Sequence, residues 1–173
     1  MTAADQPTLA DLLDRIAGRP TSLHGEDFLL TWQRSEDDLR TILDVAGALR
    51  RLRAAGVATR CFDSGLAVSL FRDKSTRTRF SYASAANLLG LAVQDLDEGQ
   101  SQIGHGETVR ETAVMISFLS EVIGIRDDMY LGAGHASMQD VGAALDQAHA
   151  EGVLQKRPPV VNLQCDQDHP TQS

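Results

Sequence analysis

The chain has 173 residues, 42% of them hydrophobic and 23% charged, which suits one globular core and excludes a disordered, fibrous or membrane-embedded chain. A formal net charge of −8 opposes binding along a polyanion, and there is neither a basic leader followed by an apolar stretch nor an apolar run long enough to cross a bilayer. Neither a nucleic-acid nor a membrane partner is expected, the expected location is cytoplasmic, and two isolated cysteines, Cys61 and Cys165, supply neither a disulfide framework nor a metal site.

In chain order, Leu9, Leu12, Leu13 and Ile16 form the apolar stripe of a helical arm, followed by Phe28 and Trp32 as packing residues. Ser35-Glu36-Asp37-Asp38 is a helix start, with Leu39, Ile42, Leu43, Ala46 and Leu49 on one stripe and Gly56 as the stop. The run from Leu66 to Phe71 predicts a buried strand. A helix from about Thr76 to Leu89 follows, with Tyr82, Ala85, Ala86 and Leu89 toward the core and Gly90 at its end. Leu91 to Leu96 predicts a second strand, Gly104 and Gly106 a Gly-rich loop, and Glu107 to Ser120 a helix. Glu121 to Arg126 is the third strand. Ser137 is the expected cap of a helix carrying Met138, Val141, Leu145 and Ala148, and Pro159 to Leu163 is the fourth strand. His24, His135 and His149 have no partners at ligand spacing and are expected on the surface or in loops.

Strands separated by amphipathic helices imply an α/β fold, a parallel sheet with helices on both faces. Ligands gather at the carboxyl ends of such strands. Three polar clusters fall there: Ser75 to Arg79, Arg126, and His169 to Gln172. Arg72, Lys74, Arg77 and Arg79 concentrate positive charge on an acidic background, suited to one small anion. A strand leading into Ser75-Thr76-Arg77-Thr78 at a helix start offers hydroxyls, backbone N–H groups, the positive end of the helix dipole and a guanidinium to a phosphate. The glycine patterns of a Walker loop and of a dinucleotide fold are missing. On the residues alone, a phosphate cradle and a capped helix start with a solvated basic turn are about equally favoured.

The segment Phe71 to Ser81, with Ser75-Thr76-Arg77-Thr78-Arg79 at its centre, resembles the S-T-R-T-R phosphate motif of the aspartate and ornithine carbamoyltransferase family, and His169-Pro170-Thr171-Gln172 resembles that family's H-P-T-Q motif. Between them, Ser101 to Thr108 is similar to the loop that reaches a neighbouring subunit's site, and Ile123 to Arg126 to the strand ending in the active-site arginine. Asn87 to Gly99, Ile125 to Tyr130 and Val161 to Cys165 are most similar to the branch typified by YgeW.

The resemblance runs over residues 35–173 and implies the carbamoyl-phosphate-binding domain, without the family's second, amino-acid-binding domain, and leaves residues 1–34 as the helical arm. The sequence stops where a further strand-to-helix turn should begin its helix, so a continuation is expected and the isolated stretch is expected to be inactive. Ser75, Thr76, Arg77 and Thr78 are implied to hold the phosphate. Thr78, Arg126 and His169 are implied to donate to the carbonyl oxygen, and Gln172 to orient the carbamoyl NH2. Gln102, rather than His105, is the residue implied to reach across to carbamoyl phosphate from a neighbouring subunit of a homotrimer or higher homo-oligomer. The implied activity is carbamoyl transfer to an amine of an amino acid or related acceptor. It works by positioning and electrostatics, with no cofactor, metal or covalent nucleophile, so Cys165 is a bystander. The competing expectation is a phosphometabolite-binding module without transfer chemistry. Arg126 and His169 weigh against it, because a simple phosphate binder needs no donors aimed at a carbonyl oxygen.

Overall fold

The run Leu66–Phe71 forms strand β1 and is buried on both faces, Ala67, Val68 and Phe71 among the least exposed residues, as an interior strand of a parallel sheet must be. The computed structural model describes residues 6–72, 74–97 and 108–170. Among these, β1 is joined by β2 (Ala92–Asp97), β3 (Val122–Asp127) and β4 (Val160–Cys165) in one parallel sheet of order β2-β1-β3-β4. The helices are α1 (Leu9–Gly18), α2 (Glu36–Ala54), α3 (Thr76–Leu89), α4 (Val109–Ser117) and α5 (Gly134–Ala150). The expected α/β fold is the observed one.

From β1 the chain steps through α3 to one side, to β2; it then returns past β1 through α4 to β3, and continues through α5 to β4. Right-handed crossovers therefore place α3 on one face and α4 with α5 on the other. Packing agrees: α3 lies against β1 and β2, α5 lies against β3 and β4, and α4 rests on α5. One core joins Ile123, Ile125 and Val160 to Met138, Val141 and Leu145 of α5, and a smaller one joins Ala67, Leu91 and Ala86 of α3. The strand order reverses between β1 and β3, which opens a crevice at their carboxyl ends.

Sequence and structure differ where local pattern and packing disagree. On α2, Asp38, Thr41 and Ala48 are buried, while Ile42 and Leu43 of the expected stripe are exposed, Leu43 at 70%. The reason is that α2 packs on α1, whose Leu12 is buried, and not on the sheet. Helix α5 begins three residues before Ser137, with His135 buried in its first turn and not on the surface. Trp32 is 62% exposed and so is not a packing residue. Leu30 takes that part instead: it joins the larger core, and Phe28 beside it pairs with Val161 in a parallel bridge. No helix of the described residues is long and apolar enough to cross a membrane.

Candidate active site

Helices α1, α2 and α4 each start with a capping box in which a hydroxyl residue and an acid three positions on exchange hydrogen bonds: Thr8 with Asp11, Ser35 with Asp38, Thr108 with Glu111. Helix α3 does not. Among the described residues Ser75, at its N-cap, makes no side-chain cap hydrogen bond, and the first turn carries no acid. Its N–H groups and the positive end of its dipole are thus not spent on a cap of its own.

That helix start forms one wall of a cleft of about 840 Å3, lined by Lys74, Ser75, Thr76, Arg77, Thr78, Ser81, Tyr82, Ala85, Arg126 and Leu163. The cleft lies where the strand order reverses, with β1 delivering Ser75 to Thr78 and β3 delivering Arg126. Five of the expected residues, Ser75, Thr76, Arg77, Thr78 and Arg126, therefore share one space. His169 follows β4 at the same edge of the sheet, is exposed, and is not among the lining residues. Gln102, His105 and Gln172 lie outside the described residues.

Lys74 of the expected basic stretch lines the cleft, whereas Ser81 and Leu163 were not expected there, and Tyr82 and Ala85, expected toward the core, line it too, Ala85 exposed. A signal existed, because positions 78, 81, 82 and 85 repeat at helical spacing and so continue the Thr78 face of α3. Tyr82 lies beneath that face: its hydroxyl donates to the Val68 carbonyl at 3.0 Å, and burial pushes its phenol up, keeping it protonated as a hydrogen-bond donor.

The basic stretch divides its duties. The Arg72 guanidinium donates from Nη1 to Oδ2 of the fully buried Asp127 at 2.8 Å. Arg79 pairs with Asp95 and lies over the Phe71 ring at 4.2 Å, while Ser69 Oγ donates to the same Asp95 at 2.6 Å. One step of about 100° along the helix from Thr78 carries Arg79 away from the cleft and toward β2. Of Ser75 to Arg79, the first four line the cleft and Arg79 does not. Among the described residues, Lys74, Arg77 and Arg126 are the cations that line the cleft.

At the opposite wall, Arg126 donates from Nε to Gln164 Oε1 at 3.0 Å and from Nη2 to Asp128 Oδ2 at 3.1 Å. Cys165, the last residue of β4, is buried, and its Sγ accepts from Asp168 N–H and Asn162 Nδ2, both at 3.3 Å. Among the described residues no group of three or more His, Cys, Asp or Glu side chains is placed to hold a metal. The site is a concentration of donors and positive charge, suited to binding a small anion and stabilising charge that develops on it.

Residues 26–173 match the family model described as aspartate/ornithine carbamoyltransferase, carbamoyl-P binding domain. The chain is 64% identical over 166 residues to YgeW of Escherichia coli (strain K12), itself named only provisionally as a carbamoyltransferase; the match covers 96% of this chain and 42% of that protein. Ornithine carbamoyltransferase from Pyrococcus furiosus has a TM-score of 0.70 at 25% identity, covering 84% of this chain and 42% of that one. Aspartate transcarbamoylase from Trypanosoma cruzi, in complex with carbamoyl phosphate and aspartate, has a TM-score of 0.71 at 24% identity, covering 88% and 46%, a likeness of fold. The chain spans less than half the length of each of these proteins.

Proposed function

Because the chain belongs to the aspartate/ornithine carbamoyltransferase family, as its carbamoyl-phosphate-binding domain, we propose that the cleft between α3 and β3 holds carbamoyl phosphate while its carbamoyl group passes to an amine. The observation that carries this reading is the meeting of Ser75, Thr76, Arg77 and Thr78, at a helix start with no capping box, with Arg126 in one cleft. A phosphoryl dianion needs the first group; a carbonyl under attack needs a donor at a second place, and Arg126 is the residue assigned to it in this reading.

In the proposed reaction the acceptor amine attacks the carbonyl carbon, forming a C–N bond and a tetrahedral oxyanion. The C–O bond to phosphate then breaks, the amine loses a proton, and phosphate departs. Ser75, Thr76, Arg77 and Thr78 hold the phosphate and take up its growing charge. Thr78, Arg126 and His169 serve the carbonyl oxygen, and Gln172 orients the carbamoyl NH2. Thr78, Arg126 and His169 are thus the proposed catalytic residues. Holding two reactants in register and meeting charge with fixed donors is sufficient chemistry, so no cofactor enters the scheme. The acceptor is an amino acid or related amine, and the setting is the cytoplasm. Gln102 enters the site from a neighbouring subunit of a homotrimer or higher homo-oligomer.

Titration calorimetry on the full-length protein tests the reading. Arg77→Ala should weaken carbamoyl-phosphate binding at least ~30-fold, the loss expected when one partner of a close charge pair is removed; unaltered affinity would sink the assignment. Sharing of sites is tested by mixing Gln102→Ala with Arg126→Ala protein. Hybrid sites carrying neither substitution should restore partial activity, and no recovery despite demonstrated subunit exchange would count against sharing.

A further inference from the structure

Resting on the carbamoyl-phosphate reading, we propose that Asp128 and Gln164 are positioning residues that fix the plane of the Arg126 guanidinium and so aim it at the carbonyl end of the substrate.

Three side chains close a triangle. Arg126 Nε donates to Gln164 Oε1 at 3.0 Å, Arg126 Nη2 donates to Asp128 Oδ2 at 3.1 Å, and Gln164 Nε2 donates to that same Asp128 oxygen. A guanidinium is a rigid planar fork, so two acceptors on neighbouring nitrogens determine its plane as well as its place. The third bond fixes which way the Gln164 amide faces, since its oxygen must meet Arg126 and its nitrogen Asp128. All three side chains are largely withdrawn from solvent: those of Arg126 and Asp128 are 11% and 19% exposed, and Gln164 as a whole is 6% exposed.

The backbone is shaped to the same end. Along β3 and β4 the register runs Ile125 opposite Asn162 and then Arg126 opposite Gln164, so one extra residue, Leu163, is accommodated between them. Bulges of this kind re-aim side chains beside functional sites. Regular pairing would set Leu163 opposite Arg126. The irregularity instead gives Arg126 a polar partner across the ladder and places Leu163 in the cleft wall. Side-chain triangle and strand irregularity converge on one arginine.

An aimed donor stabilises charge without reorganising as that charge forms, whereas an arginine swinging freely could serve the phosphate equally well. Aim therefore appears as discrimination between carbamoyl phosphate and inorganic phosphate, which lacks the carbonyl. The test is to measure both affinities by calorimetry on the full-length protein and on Asp128→Asn, Gln164→Leu and Arg126→Ala, with thermal midpoints as a check on folding. Asp128→Asn and Gln164→Leu should each weaken carbamoyl phosphate about tenfold. Inorganic phosphate should bind them as well as the parent, or more tightly to Asp128→Asn, where a negative charge beside an anion site has been removed. General loosening of the fold would weaken both ligands together, so that result overturns the inference. An unchanged ratio in both variants, with Arg126→Ala still lowering it, likewise overturns positioning and leaves the carbamoyl-phosphate reading standing. A parent protein that does not bind carbamoyl phosphate, or an Arg126→Ala protein with parental discrimination, instead overturns the reading beneath it.

Discussion

Gly124 sits in the middle of β3 with no room for a side chain: a Cβ there would lie 2.6 Å from Tyr82 Cε2 and 3.0 Å from Leu163 Cδ1. Both neighbours line the cleft, so the missing side chain lets α3 approach the sheet closely enough to set the distance between the Thr78 face and Arg126. Gly124→Ala should destabilise the fold by about 1–3 kcal/mol, the range for overpacking a filled interior, as measured by urea unfolding. It should also weaken phosphate binding, because the ring of Tyr82 must move. Tyr82→Phe keeps the ring and loses the hydroxyl with its bond to Val68, and should cost about 1 kcal/mol with phosphate affinity retained. At this scale the sequence was legible for the placement of Ser75, Thr76, Arg77 and Thr78, which follow an apolar strand at a helix start and line the cleft. It was not legible for Leu163, whose place depends on a strand irregularity, or for Arg79 of α3, whose partner Asp95 lies on β2.

The helices show the same division between local and distant causes. The strands were legible to within a residue or two because short apolar runs between helices leave little choice of boundary. The start of α5 was not, because its cap comes from elsewhere: the Asp166 carboxylate, after β4, accepts from Gly132 N–H at 2.7 Å and from His135 N–H at 2.8 Å. Burial works to raise the Asp166 pKa, but these N–H bonds outweigh it and hold the carboxyl below its usual value. Asp166→Ala should cost about 1 kcal/mol, and hydrogen exchange should speed up at the amides of Gly132 and His135 while the end of α5 keeps its protection. In α2 the inward residue is a carboxylate. Foremost the Ser22 N–H, then the Ser35 and Thr21 hydroxyls, lower Asp38 from 3.8 to about 2 against the effect of burial. A depressed carboxyl stabilises the folded state at every pH above its unfolded value, and that contribution disappears as pH falls from about 4 to about 2. Asp38→Asn should therefore melt below the parent at neutral pH, and the gap in thermal midpoint should close across that acid window.

At the scale of the molecule, alternation of strand and helix was enough to name a parallel sheet, and right-handed crossovers then dictate where its strand order reverses and hence where the cleft opens. How the arm joins that sheet was hidden, since nothing in a local pattern announces a partner more than 130 residues away. Phe28 N–H donates to the Val160 carbonyl and Asn162 N–H to the Phe28 carbonyl, both at 2.8 Å, so the arm pairs alongside β4. Asp27 accepts from Val160 N–H at 2.7 Å and is gripped by Arg157, while Asp168 accepts from Thr31 N–H at 2.6 Å. Asp168 immediately precedes His169, so the arm helps to fix the turn that carries this residue at the sheet's edge. Leu30, 3% exposed, is the apolar anchor of the arrangement, packed in the core with Ile125 and Val160. If the arm folds as part of the sheet's cooperative unit, Leu30→Ala should cost about 2–5 kcal/mol, as for other large-to-small changes in a filled core, and should shift one common urea transition. An arm that folds apart from the sheet would give a loss under about 1 kcal/mol, or a separate early transition followed by the unaltered unfolding of residues 35–170. Circular dichroism together with Trp32 fluorescence distinguishes these results, because Trp32 reports on the arm while most of the helical signal comes from the rest.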